Sequence, residues 1–198
     1  KFEIKLFLII LFLSIIIFLF RDLPFYKLDI FHEGQLLSGS LNFFLKDEIW
    51  QGSYLNTGLF HDQLNSTIAF NFFSVKSVGA YRAFQIILEF MSVPFILLLC
   101  ISIGKNFEFN LFNKKIFIIF LSVIGLYLLI NGSFNYRHIP IFLFLFLLNE
   151  FFLNPNNKLP LFFLGILSFL SFLWSVDVAA YINLLLLIFI LFLIINLK

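Results

Sequence analysis

The chain has 198 residues, of which 62% are hydrophobic and only 12% charged, against roughly a quarter charged in a soluble domain. A water-soluble globule is excluded. Thirteen basic against eleven acidic side chains leave a formal charge of +2, too small and too scattered for a nucleic-acid partner held by counterion release. The single cysteine, Cys100, lies in an apolar run, which excludes a disulfide framework within the chain and a thiolate metal site. The 33 phenylalanines, with abundant Ile, Leu, Asn and Lys, read as an AT-rich bacterial genome placing Phe where side chains face lipid. The first residue is Lys1 and the last apolar run stops at Lys198, so the expectation is one transmembrane domain over residues 1–198, the N-terminal part of a longer protein.

About 20 residues carry a helix across roughly 30 Å of hydrocarbon, and somewhat fewer suffice when flanking residues snorkel. Six stretches come close. The first covers residues 4–20; Phe20-Arg21-Asp22 follows it directly, and the lack of a small-residue cleavage site makes it an uncleaved first helix. The others cover 82–103, 116–130, 140–152, 159–175 and 178–197. The predicted fold class is all-α, a polytopic transmembrane bundle of about six spans. Asn154-Pro155-Asn156-Asn157-Lys158 makes a tight polar link between two of them.

If the spans alternate, Lys1, Lys5, Lys105, Lys114, Lys115, Lys158 and Lys198 fall on one side, which is cytoplasmic by the positive-inside rule. The other side receives Asp22, Asp29, Glu33, Asp47, Glu48, Asp62 and Asp177, the turn 131–138, and the long first outer loop, residues 21–81. Trp50 and Trp174 fall near that outer interface, where indole rings are favoured. Within the loop, Ser38-Gly39-Ser40, Gly52 and Gly58 read as breaks between apolar stretches too short to cross, 41–45 and 64–75. These read as helices lying on the membrane surface.

Asp29-Ile30-Phe31-His32-Glu33-Gly34 is the most informative cluster, because helical spacing places Asp29, His32 and Glu33 on one face. Neighbouring carboxylates suit a general base, whereas a solvated headgroup-level loop is the bland alternative. His61-Asp62-Gln63 adds oxygen and imidazole ligands, but its spacing matches no zinc motif, so no metal site is assigned and a divalent cation stays open. In Tyr136-Arg137-His138, Arg137 can hold a phosphate bidentately and His138 adds a donor; snorkelling to headgroups explains them equally well. Arg82 and Lys76 face the same choice. Asp177 interrupts an apolar run and is expected to face protein or the outer surface, and Glu89, deep in its span, is expected to pair with Gln85 or another span. Asn65-Ser66-Thr67 and Asn131-Gly132-Ser133 match the glycosylation pattern by chance.

The order of features carries a resemblance. A short cytoplasmic start, one span, a long outer loop opening on an acidic motif, then closely spaced spans resembles the polytopic GT-C glycosyltransferases. The strings Asp29 to Gly34, Ser77-Val78-Gly79-Ala80-Tyr81-Arg82 and Trp174 to Tyr181 look like positions in uncharacterised bacterial members. The resemblance implies a sugar moved from a polyprenyl-phosphate donor to an acceptor on the outer face of a bacterial inner membrane, that is, a periplasmic active face. It implies Asp29 as the catalytic base, with Glu33 as its alternate, and an inverting transfer. Arg82, Arg137 and His138, with His32, Asp62 and Asp177, are the expected substrate-binding residues; the partners are membrane lipid and the lipid-linked sugar, with no nucleic acid and no obligatory cofactor. The chain departs from better-known members in lacking an Asp-Glu pair directly after the first span. A transporter or flippase using Glu89 and Asp177 is the competing reading, and a non-catalytic membrane scaffold the third.

Overall fold

The computed structural model describes residues 2–19, 31–46 and 57–196. Asp29, Trp50 and Gly52 lie outside them. Eight α-helices hold the described residues, with no strand among them: α1 (Phe2–Leu19), α2 (His32–Lys46), α3 (Asn65–Phe73), α4 (Val78–Lys105), α5 (Leu111–Ile130), α6 (Ile139–Leu153), α7 (Leu159–Trp174) and α8 (Val176–Asn196). A π-helical turn, Phe60–Leu64, runs into α3, and a 3-10 turn, Tyr136–His138, runs into α6. Four helices are long and apolar enough to cross a membrane, over Val78–Lys105, Leu111–Ile130, Tyr136–Leu153 and Val176–Ile195; Ile4–Phe18 and Leu159–Trp174 are apolar but shorter. Their outward faces carry side chains such as Phe12, Phe112, Phe120, Phe169 and Ile188, all exposed. Such faces are stable against hydrocarbon and not against water, so the chain is an integral membrane protein.

The chain divides into two compact units, one of Lys1–Asp22 and Ile86–Ile166, the other of Leu23–Gln85 and Leu167–Lys198. In the first, Phe18, Val93, Ile96, Leu97, Cys100, Leu126, Leu129 and Phe142 form one buried cluster from α1, α4, α5 and α6. Small residues set the approach of α4 and α5: a Cβ on Gly104 would stand 2.6 Å from Ile118, and one on Gly125 would stand 2.5 Å from Ile96. With little hydrophobic drive between helices in lipid, such close backbone contact carries association. One end of this unit is polar. There Ser102, fully buried, donates to Glu150 at 2.6 Å, Lys105 donates to the same oxygen at 2.8 Å, and Asn106 donates to Asn149 at 2.6 Å. That network joins the end of α4 to the end of α6, and the short links to α5 and α7 keep Lys114, Lys115 and Lys158 at the same end.

In the second unit, α2 does not break at Ser38-Gly39-Ser40. The helix runs through, with the Ser38 and Ser40 hydroxyls donating back to the carbonyls of Gln35 and Leu37 three residues earlier, at 2.8 and 2.9 Å. Gly39 is a contact point instead: a Cβ there would meet the backbone oxygen of Asp62 at 2.4 Å. Across this contact Gln63 donates to the Gly39 carbonyl (3.3 Å) and Ser66 to the Leu36 carbonyl (2.8 Å). The expected surface helix is α3, whose Asn65, Ser66, Thr67, Ala69 and Phe70 are all buried. Burial at Asn65 also closes that sequon to modification. Phe70, Ala80 and Tyr81 form the apolar core here, with Leu36, Leu37, Phe44 and Phe73 around it, and Lys76 caps the Phe44 ring at 4.1 Å.

These glycines separate two effects of the same substitution. Gly39→Ala is expected to destabilise the purified protein by about 1–3 kcal/mol, because backbone must move. Gly34→Ala, also in α2 but with open space around its Cβ, should be neutral or stabilising by up to about 1 kcal/mol. Denaturant titration of the two variants side by side checks this, and equal effects would contradict the close approach at Gly39.

Candidate functional site

The first turn of α2 carries Glu33, and the second turn of α4 carries Arg82. Forty-nine residues apart, they meet in a fork: Arg82 Nε donates to Glu33 Oε1 and Nη2 to Oε2, each at 2.7 Å. Both side chains are nearly buried, at 10% and 13% exposure. A bidentate guanidinium–carboxylate pair fixes direction as well as distance, so it latches the start of α2 to the start of α4. Both oxygens of the Glu33 carboxylate therefore already accept hydrogen bonds. One turn along α4 from Arg82, Gln85 keeps its amide nitrogen buried and without a hydrogen-bond acceptor.

Asp62 sits in the π-helical turn, 2% exposed. Its Oδ2 accepts from the backbone N–H of Thr57 at 2.6 Å and of Gly58 at 3.3 Å, and its Oδ1 accepts from the Thr57 hydroxyl. This closes residues 57–62 into a tight ring, with Gly58 at φ 131°, a conformation open to glycine. The ring seats the tip of a helical hairpin. A single residue, Ser175, separates α7 from α8, and Ser168 bonds Asn183 across the two helices at 2.5 Å. At the tip, Val176 N–H donates to the Thr57 carbonyl at 2.7 Å. A Cβ on Gly58 would stand 2.8 Å from Ser175 Cα. Trp174 stacks on Phe60 with centroids 4.0 Å apart and planes 6° from parallel. Asp177 lies in the first turn of α8, where its Oδ1 accepts from the Ser175 hydroxyl at 2.5 Å and its charge suits the helix dipole.

Arg137 and His138 belong to the other unit, in the 3-10 turn. Asn135 caps that turn by accepting from the Arg137 N–H at 3.0 Å, while Asn135 N–H donates to His138 Nδ1 at 3.1 Å. The ring nitrogen that accepts is thereby engaged in the turn, and the imidazole packs against the Phe134–Phe142 pair.

Of the residues expected to form the site, the second unit thus brings Glu33 to Arg82, and sets the ring closed by Asp62 against the hairpin tip that Asp177 follows. Asp29 lies outside the described residues, as does the placement of the His32 side chain. Among the described residues no group of three or more His, Cys, Asp or Glu is arranged to hold a metal ion. No family model matches the chain, and no curated protein or solved structure matches it at a significant level. Thr57, Gly58 and Ser175 were not legible as site residues, although Ser-Val-Asp at 175–177 is a helix-start pattern that marks the hairpin tip.

Two outcomes follow from this geometry. Arg82→Ala leaves a nearly buried carboxylate without its cation and is expected to cost about 3–5 kcal/mol; replacing Glu33 and Arg82 together by Met should recover most of that. Denaturation of single and double variants measures the coupling, and additive losses would count against the latch. In a Trp50→Phe background, Asp62→Ala should open the ring and shift Trp174 emission to longer wavelength. An unchanged spectrum would mean that the Phe60–Trp174 stack does not depend on Asp62.

Proposed function

We propose that the chain is part of a membrane transferase of the GT-C kind, moving a sugar from a polyprenyl-phosphate donor to an acceptor at the face opposite its lysines. In this reading six helices cross, the two shorter ones included, residues 21–81 lie on the periplasmic side of a bacterial inner membrane, and the Lys105 end is cytoplasmic. The observation that carries it is the Glu33–Arg82 fork. An enzyme that acts at a membrane face needs its reacting groups built on rigidly held elements, and the fork fixes the start of α2 to α4 four residues after Asp29 in the chain. Asp29 is then the base that takes the acceptor hydroxyl proton, with Glu33 and Arg82 as positioning residues of the same unit; Arg137, on the 3-10 turn of the other unit, is assigned separately to donor phosphate binding. Asp62 and Asp177 shape the hairpin and its seat in the same unit as Glu33 and Arg82. A non-catalytic scaffold is the second reading, favoured by the full engagement of Asp62 in backbone bonds.

In proteoliposomes with a polyprenyl-phosphate sugar, Asp29→Asn in the full-length protein is expected to lower turnover by about a hundredfold to ten-thousandfold with donor binding intact. Arg137→Ala should weaken donor binding, and Arg137→Lys should restore it only in part. Undiminished transfer by Asp29→Asn overturns the assignment. The topology is tested separately in a Cys100→Ser background: a cysteine at 53 should label from outside and one at 156 should not.

A further inference from the structure

Within the first unit, Ile4 and Phe7 of α1, Leu98 and Ile101 of α4 and Phe146 of α6 line an apolar groove of about 280 Å³, and Lys105 stands at its rim. The volume is near the lower end for ligand sites. Its walls are almost wholly apolar and offer little to orient a soluble metabolite, and in a bilayer an unfilled groove forfeits dispersion contacts along its whole lining. Hydrocarbon is the occupant that fits. Lys105 decides what that hydrocarbon is attached to.

Lys105 gives one N–H to Glu150 at 2.8 Å, and its side chain remains 35% exposed. An ammonium has three donors, so two remain for an oxyanion at the rim. Exposed Lys5 follows Ile4 on α1. The same end of the unit holds Lys114, Lys115 and Lys158 against Glu108 and Glu150 among the described side chains, so the local field favours an anion despite the bridge. Apolar walls leading to a cationic rim between membrane helices match an acidic phospholipid, acyl chain inward and phosphate outward. We propose that this groove is a binding site for one acidic phospholipid of the surrounding bilayer, with its phosphate on Lys105. The site requires only that the chain is embedded in a membrane, and it is independent of the transferase reading.

The test is native mass spectrometry of the purified full chain incubated with equal amounts of phosphatidylglycerol and phosphatidylcholine. The wild-type chain is expected to retain one phosphatidylglycerol in about fivefold excess, the factor that one basic side chain contributes beside an anionic headgroup. Lys105→Gln should bring the two lipids to parity, and Lys105→Arg should preserve the preference. Ile101→Trp fills the groove and should remove the retained lipid whatever its headgroup. Leu98→Phe does the same more gently and leaves the Lys105–Glu150 bridge intact, so it decides the matter if the other variants misfold. Equal retention of both lipids by the wild-type chain overturns the proposal, as does phosphatidylglycerol retention unchanged in Leu98→Phe.

Discussion

A carboxylate buried among backbone N–H groups governs the second unit. Asp62 can be buried only because Thr57 and Gly58 satisfy it, and those two residues can reach it only if the backbone turns through the positive-φ conformation of Gly58. The ring that results presents the Thr57 carbonyl and the flat of Phe60 to the α7–α8 tip. On its other side, the Asp62 carbonyl stands where a side chain at position 39 would be. One charged group therefore sets the seat of a hairpin and, through the π turn that carries it, the approach of α2. A π turn adds a residue to the helical repeat and redirects the side chains around it, which is why such turns recur where a helix must present polar groups inward.

The first unit obeys a different rule. Its interior is apolar, and its polar network gathers at one end, where Ser102, Lys105, Asn106, Asn149 and Glu150 satisfy one another. Between, α4 and α5 touch through glycines, and Ser122 returns its hydroxyl to the Ile118 carbonyl at 2.8 Å. Polar atoms inside hydrocarbon need such local partners. Pro94 interrupts the ladder of α4 without ending the helix, as prolines do in spans whose neighbours pack the freed backbone.

Hydropathy made the helices legible, since a run of apolar residues bounded by Lys, Pro, Asn or Asp has few other readings. The expected 116–130 and 140–152 became Leu111–Ile130 and Ile139–Leu153, and even the abrupt passage from α7 to α8 was anticipated at Asp177. The outer loop was less legible because its glycines have two uses. Gly58 serves a turn, whereas Gly39 lies inside a helix and serves close approach, and composition alone does not tell these apart. The pairing of Glu33 with Arg82 was out of reach for another reason: local spacing orders side chains along one helix, whereas this fork joins residues from separate elements. Asp62 drew attention as a possible ligand. Its bonds to Thr57 and Gly58 are the familiar turn chemistry of aspartate, applied from five residues away.

The second unit is discontinuous in the chain, and this shapes how it is made. Thr57 and Val176 meet only after the whole segment 86–166 has been synthesised and has entered the membrane, so the contact closes one of the longest loops in the protein. Until then Phe60 lacks its indole cover and the ring closed by Asp62 lacks the hairpin tip that it seats. A nascent chain halted before α7 therefore leaves the aromatic face of Phe60 without its Trp174 cover. Trp174 and Val176, adjacent at the tip, then close this unit from its C-terminal part.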